Sequence, residues 1–392
     1  MFKNRHHLET LAPYQIFFPL GMLLGLIGTS VWIAFAFGKF SYPGSIHAEI
    51  MMQGFFFVIA TGFLVTAVPK FSSTSSATTK EKIFFLITTT LIIIASLQPI
   101  RIPFHIISFL HILALTLFLL RRVQKASMKI PSSFVFVGGG MVSALLGTAL
   151  ILSNDFLIMP ATLLRFAQLL LWYGVFLNFA LGIGSRLIPY ITGCNCISPN
   201  TPHAGSPFAP TSQDARERKI FFLFSLVLFL SFVLEAYGIV LFATTIRSVI
   251  ITLYLLLWWQ LGRIPVSKTY VSLALWIASW CMIAGTWLMT FFPSYRIHAA
   301  HLLFVGSLSI MIFAIATRVV LSHGNHGLKQ ERHSYTLVFT FFLLIIALAT
   351  RLTAPWTQHY FQHLAYAASV WIIGVLVWQK EFLKKIFQKG NL

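Results

Sequence analysis

About twelve apolar runs, each near twenty residues long, follow one another through this chain of 392 residues and leave little room for anything else. A run of ~20 apolar residues wound as a helix matches the ~30 Å hydrocarbon core of a bilayer. The runs lie near residues 14–37, 46–68, 82–99, 102–120, 131–152, 160–188, 219–241, 245–262, 269–291, 298–321, 335–353 and 358–379. With 57% hydrophobic and only 9% charged residues, the composition is that of a polytopic membrane protein. Lipid offers no partner to a bare peptide group, so runs rich in Leu, Ile and Phe must close their own hydrogen bonds as helices. The expected fold is all-α, with about twelve transmembrane helices in a single domain over residues 1–392. A connection at about residues 190–218, rich in Pro, Ser, Thr and Asn, reads as a flexible loop.

The formal charge of +19 is a topology signal. Lys3 and Arg5 precede the first run; Lys70, Lys80 and Lys82 follow the second; Arg121, Arg122, Lys125 and Lys129 follow the fourth. The same holds for Arg216, Arg218 and Lys219 after the sixth, Arg263 and Lys268 after the eighth, Lys329 and Arg332 after the tenth, and the lysines from Lys380 to Lys389 at the end. If the runs alternate in direction, all of these fall on one side, which the positive-inside rule makes cytoplasmic, with both termini there. That placement argues against nucleic acid as a partner. The first run reads as a retained anchor, and three cysteines give no disulfide framework.

Alternation also gathers the histidines. His47 opens the second run, His105 and His111 lie early in the fourth, His298 and His301 open the tenth, and His359 and His363 open the twelfth. All seven stand at the outer end of even-numbered runs. Polar groups of this kind are poorly tolerated in hydrocarbon and mark functional sites, and neutral imidazole is a common ligand of metals and haem iron. His47 and His301, at matching depth on different helices, are the best pair to clamp a macrocycle. His298, His359 and His363 are candidates for a nearby copper or for an axial position. Gly54, Gly62 and Gly306 leave room for a flat ring or for a neighbouring helix. Outer-side arginines occur at 101, 165, 247, 296 and 351. Arg296 and Arg351 adjoin the favoured histidines and suit haem propionates, or else snorkel to the interface. At the inner ends Arg186 and Arg318 read as caps of helix C-termini. His323, His326 and His333, with the Cys194 and Cys196 pair, are either inner-side metal candidates or solvated loop residues.

Four segments resemble the NnrS family. HAEIMMQGFFFVIATGFLVTAVP at 47–69 is similar to that family's opening signature, GSRLIPYIT at 184–192 to its Gly-Arg-Val-Ile-Pro-Phe segment, and HLLFVGSLSIMIFAIATRVVLSHGNHG at 301–327 to its His-to-Gly and Arg-x-x-Leu-Gly-His block. ALATRL at 347–352 matches a shorter piece centred on arginine. The chain departs from the pattern at Ser322 and Gly324, at Glu49 and at Thr192–Gly193. The resemblance implies a haem- and copper-containing protein of the bacterial inner membrane, linked to denitrification, nitric oxide and nitrosative stress. By position it carries over His47, His301, His323, Arg186, Arg318 and Arg351. Nitric oxide or a related small molecule is the implied ligand, with respiratory or denitrification proteins as candidate partners.

A more distant likeness connects the second and tenth runs with subunit one of haem–copper oxidases. The sixth and seventh runs carry no histidine, which disfavours an oxidase-like binuclear centre. No motif assigns catalytic turnover. The alternative reading is a transporter or channel whose histidines line a polar path, and a third is an assembly partner of a respiratory complex.

Overall fold

The structure, a computed structural model, describes residues 9–194, 214–388 and 390. Twelve helices occupy the twelve expected places. They are α1 (Pro13–Ala36), α2 (Gly44–Phe71), α3 (Thr79–Ser96), α4 (Ile102–Gln124), α5 (Phe134–Asn154), α6 (Ala161–Thr192), α7 (Asp214–Ala236), α8 (Val240–Leu257), α9 (Tyr270–Phe291), α10 (Pro293–His323), α11 (Tyr335–Trp356) and α12 (Tyr360–Phe387). Eleven are long and apolar enough to cross a membrane. Large apolar side chains such as Leu110, Val142, Phe222 and Ile373 stand exposed along them, as lipid-facing surfaces require.

The remaining helix, α3, carries Lys80, Glu81 and Lys82 in its first turn, and the last two have structural uses. Thr78 and Glu81 form a reciprocal capping box. Both Glu81 oxygens also receive Arg122 at 2.7 and 2.8 Å, while Lys82 reaches the backbone carbonyls of Glu9 and Leu11. The Arg122 guanidinium lies over the Phe118 ring. The expected loop at about 190–218 is shortened at both ends, because α6 runs to Thr192 and α7 starts at Asp214; what lies between 195 and 213 is outside the described residues.

The contacts gather into two compact units, one of residues 1–27, 48–183 and 197–240, the other of residues 28–47, 184–196 and 241–392. In the first, small residues let helices meet closely. A Cβ on Gly21 would stand 2.7 Å from Ile59, and one on Gly140 only 2.5 Å from Phe179. In the second, two tryptophans of α12 hang on hydroxyls of α10: Trp371 donates to Ser309 and Trp378 to Thr317. The glycines left open between macrocycle and helix contact face helices. Gly54 meets Leu24, Gly62 meets Phe17 and Phe18, and Gly306 is wedged against Leu348 and Cys281.

Three helices are deformed in the same way. Wide π turns interrupt α2 at Ile50–Phe56, α6 at Leu170–Gly174 and α10 at Leu302–Ser309, so every fourth helix carries one. Such turns accumulate at functional sites because they free backbone groups and rotate the side chains on either side. In α10 the π turn begins directly after His301, and in α2 three residues after His47.

Candidate functional site

His47 belongs to the second unit, with the end of α1 and with α8–α12. Its ring is fixed from α1. Nδ1 stands 2.7 Å from the carbonyl of Gly28, and Trp32 meets the ring edge at 5.8 Å between centroids. His301 is fixed by its own helix, with Nδ1 2.7 Å from the carbonyl of Ile297 one turn earlier. A carbonyl oxygen only accepts, so Nδ1 carries the proton in both rings, and in the neutral form Nε2 presents a lone pair. Among the described residues neither Nε2 has a hydrogen-bond partner, although the two imidazoles lie within electrostatic reach of each other.

His298 is held in the opposite sense. Its Nδ1 faces both the Arg351 guanidinium, a permanent donor, and, at the longer distance of 3.3 Å, the Arg351 carbonyl; accepting from the nearer guanidinium leaves the neutral ring's proton on Nε2. Arg351, near the end of α11, is only 7% exposed. The groups around it are His298, His47, His301 and the hydroxyls of Tyr42, Tyr295 and Tyr360. No carboxylate faces it among the described residues. Aromatic rings wall the cluster: Tyr295 lies against His298 and stacks on Trp356, His298 meets Tyr360 edge-on, and Phe361 packs on Phe35 and Tyr42. The Tyr295 hydroxyl donates to the Leu352 carbonyl.

The structure therefore brings four of the expected residues together: His47, His298, His301 and Arg351. Arg296 is half-buried at the start of the same helical segment as His298 and His301. His359 is an exposed residue just before α12. His363 is half-buried, with Nδ1 unpartnered and its ring against Tyr366. His323 closes α10 at the end far from His301, exposed and 3.2 Å from Ser322. Among the described residues no three or more His, Cys, Asp or Glu side chains converge as a metal cage. Cys194 is buried, and Cys196 lies outside the described residues.

The seven histidines do not make one constellation. His105 and His111 belong to the first unit, and two carboxylates stand beside His105. His105 stands 2.7 Å from Asp155 through Nδ1 and 3.5 Å from Glu49 through Nε2, and Glu49 is held by Arg101 at 2.9 Å. His111 lies between the hydroxyls of Thr61 and Thr88. Arg165 faces Glu235 at 3.9 Å, so this outer arginine also has a carboxylate.

Two of the inner-side expectations change as well. Arg318 approaches the buried carboxyl of Glu331 at 2.7 Å, where a carbonyl cap was expected. Burial pushes Glu331 up to about 7, against the opposing pull of Arg318. His326 uses Nε2 on the Lys385 carbonyl, so that nitrogen is engaged.

Sequence reasoning missed Tyr42, Tyr295, Tyr360 and the carbonyl of Gly28. The three tyrosines stand in loops and helix starts beside residues already singled out, which is a weak signal. The carbonyl has none, since any residue supplies one.

No curated protein and no solved structure matches the chain. The family model described as NnrS protein matches residues 10–389, nearly the whole length. The chain belongs to the NnrS family.

Proposed function

We propose that this protein is a membrane haem protein of nitric oxide metabolism or nitrosative-stress protection, with the haem held between His47 and His301. The observation that carries the reading is the shared tautomer. Each ring gives its Nδ1 proton to a backbone carbonyl at 2.7 Å and keeps Nε2 free, the arrangement that fixed ligand histidines adopt. Two neutral donors on separate helices fit an iron macrocycle, which needs axial ligands and no further cage.

The cation supports the same reading. A buried guanidinium surrounded by neutral rings and hydroxyls is costly without an anion, and a propionate supplies one in bidentate geometry. In this assignment Arg351 holds a propionate, with Arg296 as a second candidate, and His298 positions Arg351 instead of ligating a metal. The donor set does not fit a protein-built copper site: no three ligands converge among the described residues.

Haem iron supplies affinity for nitric oxide and a capacity for electron transfer. The protein's part is to hold two ligands with unequal firmness. His47 is tied across helices to α1, whereas His301 is tied only to its own turn, directly before a π segment. Of the two, His301 would be the histidine that gives way to an incoming ligand.

Absorbance spectra of the purified protein, oxidised, reduced with dithionite and then exposed to nitric oxide, test the proposal. A Soret band that shifts on nitric oxide addition is expected. Protein made with haem available yet lacking any Soret band would sink it, and altered solute flux in haem-free His47→Ala protein would favour the channel reading.

A further inference from the structure

We infer that the first unit contains a proton path that starts at the His105–Asp155 pair and leads to His111 at the middle of the helices. This inference is independent of haem. Both ring nitrogens of His105 face carboxylate oxygens, at 2.7 Å to Asp155 and 3.5 Å to Glu49, and the side chain is 4% exposed. The groups with charge around it are those two carboxylates and Arg101, which also lies over the Phe104 ring. The ring exchanges a proton with Asp155 through Nδ1 and can pass one on through Nε2, a buried atom with no hydrogen-bond partner.

Beyond the cluster, buried polar atoms without partners continue inward. They are Gln53 Oε1 on α2 and Ser108 Oγ on α4, in side chains 4% and 1% exposed; within the cluster both terminal nitrogens of Arg101 are unpartnered as well. An unsatisfied buried polar atom is costly, so several in one region point to hydrogen-bonding small molecules, and water is the one that fits. The register puts them together. His105, Ser108 and His111 recur three apart on α4, while on α2 Gln53 lies inside the π turn and Thr61 beyond it. Gln53 donates weakly across to Thr148 of α5 at 3.5 Å.

His111 is built to pass a proton on. Its ring nitrogens face Thr61 at 2.9 Å and Thr88 at 2.8 Å, and both hydroxyls also reach backbone carbonyls of their own helices. A neutral imidazole donates from one nitrogen and accepts at the other, so one threonine must turn its O–H towards the ring. A proton accepted at one ring nitrogen is released from the other as the two hydroxyls exchange roles. Only O–H and N–H bonds form and break, no electrons are transferred, and the proton comes from and returns to water.

Hydrogen exchange of the His111 ring proton tests the path. The full-length protein is labelled with ring-15N histidine, placed in phospholipid vesicles and moved into D2O, and the His111 resonance is assigned by its loss in His111→Asn. Exchange complete within minutes is expected for the native protein. His105→Leu and, as a milder variant that keeps the ring, Asp155→Asn should each slow it about tenfold or more, while lipid-facing Leu110→Ala leaves it unchanged. A ring proton protected for hours in the native protein overturns the path. Rapid exchange untouched by both His105→Leu and Asp155→Asn overturns its starting point.

Discussion

The two polar clusters of this protein use arginine and histidine in opposite ways. In the first unit's cluster the charges face each other: Arg101 faces Glu49, and His105 lies beside Asp155 and Glu49. In the second unit Arg351 and three histidines meet hydroxyls, carbonyls and aromatic rings, with no carboxylate among the described residues. A cluster balanced by its own side chains can exchange protons and needs nothing from outside. A cluster with buried positive charge and two free imidazole nitrogens would be completed by an anionic, metal-containing partner. On the proposed readings, proton handling belongs to one unit and haem to the other.

The largest expected effect comes from removing a ligand nitrogen. His47→Ala or His301→Ala protein, purified folded, should lose most of its haem, read as the ratio of Soret to protein absorbance. The account expects the greater loss for His47, the ring anchored across helices. Next is the cation. Arg351→Gln deletes a charge-assisted contact worth about 1.5–3 kcal/mol, so haem affinity measured by transfer to an acceptor protein should fall roughly 10- to 100-fold. Retention equal to the native protein would show that Arg351 faces no propionate.

The mirror experiment in the first unit should affect stability and leave the haem spectrum alone. Arg101→Gln leaves Glu49 without its cation in a site where the two side chains are 15% and 21% exposed. A loss of about 1–3 kcal/mol is expected, measured as a lower thermal midpoint in detergent with an unshifted Soret band. A haem spectrum perturbed as much as in Arg351→Gln would erase the distinction between the clusters.

The smallest effect is at the far end of α10. Burial raises the Glu331 carboxyl from 4.5 to about 7, so the folded state binds its proton more tightly than the unfolded chain. The stability this contributes is fully present below about 4.5 and is lost as pH rises through about 7. Thermal midpoints should decline over that window in the native protein and decline less in Glu331→Gln. Identical slopes would mean that Arg318 already keeps the carboxyl ionised.

Much of this was legible in the sequence, for physical reasons that differ by feature. Span number follows from apolar length alone, because lipid enforces helices, and even α3 was found despite its charged first turn. His47, His301 and Arg351 stood out because such groups are expensive in hydrocarbon. The sequence could not show that the seven histidines divide between two environments. Residues at one depth look alike along the chain, and only packing puts Asp155 beside His105 and Arg351 beside His298. The tautomers were hidden as well, since the acceptor carbonyls of Gly28 and Ile297 have no sequence signature. The π turns went unseen because helical periodicity cannot register one extra residue per turn. Arg318 was read as a cap because its partner Glu331 lies past α10, on a short helical turn of its own.

The central claim is that His47 and His301 ligate one haem from its two faces. Electron paramagnetic resonance of the oxidised protein, native and with each histidine changed singly to alanine, tests it most directly. The account predicts a low-spin signal in the native protein and a high-spin signal in the haem that each variant retains. A low-spin signal that survives unchanged in either folded variant would contradict it.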